Sequence, residues 1–107
     1  MTDRRRIPPR PDRLRTIPGQ FSWIGRDLLH AGWLGALSRE ELLLYLFLTL
    51  VAGPEGTSFW SHGTIAKLLK LSLDEVLTAL RGLIKKDLVA FSHPTFQVLS
   101  LPERSRR

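Results

Sequence analysis

Apolar residues are few and isolated up to Gln20, and from Phe21 the pattern changes. Phe21, Trp23 and Ile24 read as a short strand or an extended lead-in. Asp27 to Ala31 has room for one helical turn, ended by Gly32, and Trp33, Leu34 and Leu37 read as packed loop residues. Ser38 followed by Glu41 is a capping box, in which the serine hydroxyl accepts the amide three residues on and the carboxylate reaches back. It predicts a helix from Arg39 to about Ala52. After Glu41 this helix is apolar almost all round, so it is either central or half of a dimer interface. Gly53-Pro54-Glu55-Gly56 ends it, and Thr57 to Trp60 leaves space for a very short strand. Ser61 can cap a second helix, His62 to Lys70, with Ile65, Leu68 and Leu69 inward. Ser72 and Glu75 repeat the capping box and start a third helix, to about Lys86. Its inward stripe is Val76, Leu77, Leu80, Leu83 and Ile84. Leu88 to Ser92 and Phe96 to Leu101 are apolar strands separated by His93-Pro94-Thr95, which reads as a β-hairpin.

Composition narrows the class. With 107 residues, 43% of them apolar, the chain holds one ordinary domain with a single core. It has no cysteine, hence no disulfide framework, no Cys-based zinc site and no thiol nucleophile. The longest nearly apolar run, Leu42 to Ala52, falls well short of the roughly 20 residues that span a bilayer. Prolines follow the basic N-terminus where a signal peptide needs an apolar stretch, so the cytoplasm is expected.

Charge changes the picture more. Arg4, Arg5, Arg6, Arg10, Arg13 and Arg15 stand against Asp3 and Asp12 in residues 1–20, giving +4. Arg104, Arg106 and Arg107 against Glu103 give residues 100–107 a charge of +2. Residues 21–99 hold seven basic and seven acidic side chains, so the whole excess of +6 lies in the two ends. The expected organisation is a disordered Arg/Pro-rich arm (residues 1–20), a neutral body (21–101) and a basic tail (102–107). Pro8, Pro9, Pro11 and Pro18 make the arm extended or polyproline-like.

The order helix, short strand, helix, tight turn, helix, hairpin is that of a winged helix-turn-helix. Ala66 supplies the small residue that two steeply crossing helices need where they touch, and Val76, four into the next helix, locks the crossing. Lys70 to Leu73 form the turn, with Ser72 ending the bend and capping the third helix. The fold class expected is α+β: three main helices plus a C-terminal hairpin wing, with a flexible basic arm. Three stretches, "LSREELLLYLFL", "GTSFWS" and "TIAKLLKLSLDEVLTALRGLIKKDLV", carry a closer likeness. Over Leu37 to Leu101, roughly 60% of the chain, the sequence resembles winged helix-turn-helix domains of the replication-initiator and DnaD-like type and of small plasmid or mobile-element proteins. It departs from them at Lys70, where glycine is common. Lysine there needs a left-handed backbone, at about 1 kcal/mol, or a slightly different turn.

The resemblance implies that the helix Leu73–Lys86 enters the major groove of duplex DNA. Ser72, Asp74, Thr78, Arg81 and Lys85 are then its candidate contacts. Leu73 and Glu75 also face outward near its start, and no Arg, Asn or Gln precedes Arg81. Asp74 and Glu75 suit the helix dipole, repel phosphate, and can accept from cytosine N4. The arm arginines Arg4, Arg5, Arg6, Arg10, Arg13 and Arg15 can lie along phosphates or enter a minor groove, and Lys86, His93 and Thr95 can add backbone contacts.

Other chemistry is not indicated. His30, His62 and His93 are too far apart for a local metal motif, Ser61-His62 reads as cap and first helical residue, and there is no phosphate-binding glycine loop. Trp23, Trp33 and Trp60 read as core. No cofactor, metal, small-molecule ligand, membrane contact or catalytic residue is expected. The expected function is DNA binding by a regulator or accessory replication or transposition factor of a plasmid or mobile element. The alternatives are a module docking a replication or transposition protein and, third, RNA binding through the arm. A homodimer through helix 39–52 is expected as well.

Overall fold

Two capping boxes frame the fold. In the computed structural model, which describes residues 9–13, 22–53 and 55–102, Ser38 Oγ accepts the Glu41 amide at 3.1 Å and Glu41 Oε1 accepts the Ser38 amide at 2.9 Å. They start α3 (Arg39–Val51), which two short helices precede, α1 (Asp27–His30) and α2 (Trp33–Ala36). Ser72 and Glu75 repeat the arrangement at 3.1 and 2.8 Å and start α5 (Leu73–Lys85). Between them lie β1 (Thr57–Phe59) and α4 (His62–Leu69), the latter capped by Ser61 Oγ accepting from the Thr64 amide. The hairpin strands β2 (Val89–Ser92) and β3 (Thr95–Val98) follow. The sheet is antiparallel in the order β1-β3-β2, with Phe96 opposite both Ser58 and Phe91. This is an α+β winged helix-turn-helix.

The core is one cluster. Leu44 and Leu48 of α3, Ile65 of α4, Val76 and Leu83 of α5, then Leu88, Val89 and Phe96 of the wing are all but fully buried. Each such large side chain contributes about 1.5–3 kcal/mol relative to exposure. Gly56 lets the sheet close: at φ +82° its carbonyl accepts the Val98 amide at 2.9 Å, and a Cβ there would meet Val98 O at 2.8 Å.

Several local expectations change. Trp33 and Leu37 are buried, but residues 33–36 form a helical turn rather than a loop, because Gly32 at φ +85° ends α1 and lets a second turn begin. Trp23 is 77% exposed and does not join the core, and of the two forms expected around Ile24 it is the lead-in outside any strand that is found. Leu68, Ile84 and Leu34 are exposed. On α4 the buried face is centred on Ile65 and Ala66, and on α5 it is Val76, Ala79, Leu80 and Leu83, a strict i, i+3, i+4, i+7 set that leaves Ile84 on its flank. Thr95 belongs to β3, opposite Ser92, so the hairpin turn is only His93 and Pro94, and β3 ends at Val98, short of Leu101. In the arm, Pro11–Arg13 form a 3-10 turn where extended chain was expected. Phe21 and residues 103–107 of the basic tail lie outside the described residues.

Candidate nucleic-acid interface

The site begins at the turn between α4 and α5. Lys70 ends α4 in the left-handed conformation, φ 57° and ψ 44°, as its place before Leu71 and Ser72 requires. The next amide, that of Leu71, donates to Ala66 O at 2.9 Å, closing the helix end as a glycine C-cap would. Ala66 and Val76 are both buried where the helices cross, as their sizes predict.

That crossing aims one stripe of α5 at solvent. Asp74, Thr78, Arg81 and Lys85 fall at i, i+4, i+7 and i+11, away from the buried stripe, and all four are exposed. Ser72 is exposed at the head of the stripe, its hydroxyl oxygen accepting the Glu75 amide. Glu75 in turn is occupied by the Ser72 amide. Lys67 on the outward face of α4 is also exposed, and Lys70 stands in the turn beside it. Sequence reasoning passed over both, although the phase of α4 set by Ile65 and Ala66 puts Lys67 outward.

Lys86 does not join this surface. Its Nζ lies 3.1 and 3.0 Å from the two carboxylate oxygens of Glu41, which is buried. Withdrawing Lys86 to a phosphate would leave that carboxylate uncompensated. Lys86, expected to add a backbone contact, is instead found engaged by Glu41 and is left out of the contact set proposed below. A Cβ at Gly82 would collide with the same carboxylate, so Gly82 makes room for the ion pair that ties the start of α3 to the end of α5. Forty-five residues separate Glu41 from Lys86, and no local pattern announces the contact.

On the wing, His93 is exposed at the hairpin tip with its ring 6.3 Å from that of Phe91, and Thr95 is half-buried one residue beyond the tip. In the arm, Arg10 grips Asp12 through Nε at 3.0 Å and Nη2 at 2.8 Å, both side chains well exposed. The Asp12 carboxyl is held below its ordinary range by this guanidinium, and Arg10 above its own. Arg13 ends the 3-10 turn, exposed. Arg4, Arg5, Arg6 and Arg15 lie outside the described residues.

Ser61 and His62 are cap and first helical residue, as their sequence suggests. Ser61 Oγ donates to Thr64 Oγ1, and the His62 ring packs on Phe91 and Phe96 with Nε2 buried. Among the described residues no three His, Cys, Asp or Glu side chains group as a metal site, and no helix is long and apolar enough to cross a membrane. A cleft of about 1390 Å³ opens between Trp23, Ile24, Tyr45, Leu50 and Leu99, and no residue of α4 or α5 lines it.

The sequence profile of a family described as a helix-turn-helix domain matches residues 34–89, just over half of the chain. That span takes in α3, β1, α4 and α5 and reaches the first residue of β2. No curated protein and no solved structure gives a match.

Proposed function

This chain belongs to the helix-turn-helix domain family, and from that premise we propose that it binds double-stranded DNA, with α5 in the major groove and the arginine arm on the phosphates. The observation that carries the reading is the uncovered stripe Asp74, Thr78, Arg81 and Lys85, flanked by Lys67 and Lys70. Arg81 is the first residue of that stripe able to donate two hydrogen bonds to a guanine edge, while Lys67 and Lys70 suit phosphate. His93 and Thr95 at the wing and Arg4, Arg5, Arg6, Arg10, Arg13 and Arg15 in the arm add backbone contacts. The protein is a binding factor, not an enzyme, and acts in the cytoplasm as a regulator or accessory replication or transposition factor of a plasmid or mobile element. The resemblance of residues 37–101 to replication-initiator domains supports that narrower role.

Arg81→Ala is expected to relax sequence preference more than it lowers affinity for random duplex, and Lys67→Gln with Lys70→Gln to weaken all sequences alike. Binding selections on a randomised duplex library read both. An equal loss on every sequence for Arg81→Ala makes that residue a phosphate contact and withdraws α5 from base reading.

One observation favours a second reading, a module that docks a protein. Leu73 is exposed at the acidic start of α5, where a DNA reader carries cations more often, and Leu68 of α4 and Ile84 in the last turn of α5 are exposed as well. The two readings part at low salt, where only a DNA-binding chain holds random duplex. Dimerisation through α3 has its own support: Leu43, Leu46 and Leu50 repeat along the face turned away from the core, and Leu50 is 60% exposed.

A further inference from the structure

We infer, on the reading that α5 enters a major groove, that its first two turns recognise thymine by the C5-methyl group, with Leu73 as the specificity-determining residue. Leu73 is the first residue of α5 and 50% exposed, at the head of the outward face that the proposed docking turns to the bases. Leu77, one turn on in the same row, is half-buried, and Thr78 brings an exposed methyl to the row beside it. Among the polar groups of this stretch the Ser72 and Thr78 hydroxyls donate and accept and so serve any base pair, which leaves discrimination to the charged group. The Asp74 carboxylate accepts only, and neither Arg, Lys, Asn nor Gln stands between Ser72 and Arg81.

These residue types select among base edges. In the major groove guanine shows only acceptors, which a carboxylate repels. An A·T pair shows the adenine N6 amino group and, across the pair, the thymine methyl. Asp74 can accept from that amino group while Leu73 covers the methyl. A C·G pair satisfies Asp74 through cytosine N4 but offers Leu73 no methyl. The start of α5 therefore favours A·T pairs, and a bidentate guanine contact falls to Arg81, two turns further on.

Replacing thymine with deoxyuridine removes the methyl and leaves every hydrogen-bonding group in both grooves unchanged. The full chain is titrated against alternating poly(dA-dT) and poly(dA-dU) duplexes of equal length and at equal salt. Tighter binding to the thymine polymer, about four-fold for each methyl taken out of water, is expected. In Leu73→Ala, with an unchanged melting temperature as the check on folding, that ratio should fall towards one, because affinity drops more on the thymine polymer than on the uracil polymer. Equal affinity of the unaltered chain for the two polymers overturns the inference and leaves DNA binding standing. A ratio untouched by Leu73→Ala overturns the role given to Leu73. Binding to neither polymer at low salt overturns the DNA reading itself, and this inference with it.

Discussion

Glu41 carries three duties with one carboxylate. It caps α3 through the Ser38 amide, pairs with Lys86 and fills the space that Gly82 leaves open on α5. Gly82→Ala therefore forces the carboxylate aside, and a loss of about 1–3 kcal/mol is expected in denaturant unfolding. In a Glu41→Ala background the same change removes a helical glycine with no collision, and should be neutral or stabilising by up to about 1 kcal/mol. Strictly additive costs would show that the two residues do not meet. Tyr45, the single tyrosine, offers a spectroscopic probe of the same helix. Burial pushes its hydroxyl above the usual value of about 10. The folded chain thus keeps its proton to higher pH than the unfolded chain does. The associated stability is complete below the unfolded value and falls as pH rises through the folded one. Tyrosinate absorbance should titrate above that of free tyrosine, and Tyr45→Phe should flatten the alkaline fall in melting temperature. Neither the Glu41–Lys86 pair nor the exposure of Trp23 was legible in the sequence. Each depends on what lies opposite in space, and residue type alone says nothing of that.

At the scale of elements the sequence was far more informative, because caps and turns are decided within a few residues. Both capping boxes and the Ser61 cap stand where their spacing put them, and of the two backbones open to Lys70 the left-handed one is found. The outward stripe on α5 followed from helical periodicity, and its reading as a set of DNA contacts from the resemblance. What periodicity could not fix was the width of each buried face. That width is set by the neighbours, α3 and the wing, and it left Leu68 and Ile84 outside. Lys70→Gly should relieve the left-handed backbone and raise stability by about 0.5–1 kcal/mol, while lowering DNA affinity on all sequences through the lost cation. A melt that drops instead would mean that the Lys70 side chain itself holds the turn. For α3, sedimentation should give twice the chain mass for the unaltered protein and a single chain for Leu50→Glu. The same mass for both removes the α3 dimer.

At the scale of the molecule the decisive feature is where the charge lies. The body from residue 21 to 99 is neutral, and within it Lys86 is engaged by Glu41. Of the other cations, Lys67, Lys70, Arg81 and Lys85 are exposed on or beside the proposed contact face, with the carboxylates of Asp74 and Glu75. Such a surface orients a duplex better than it attracts one. In the proposed division of labour the body sets orientation and the arm arginines supply most of the attraction, a division legible in the charge count from the start. The most direct test is the salt dependence of binding to random duplex DNA. It compares the full chain with a variant in which Arg4, Arg5, Arg6, Arg10, Arg13 and Arg15 are all glutamine. Six phosphate contacts predict a slope of roughly −5 on a log–log plot for the unaltered chain. The variant should keep the same melting temperature, bind orders of magnitude more weakly at low salt and show a much shallower slope. An unchanged slope in the variant, or no binding by the intact chain at low salt, would contradict this division of labour.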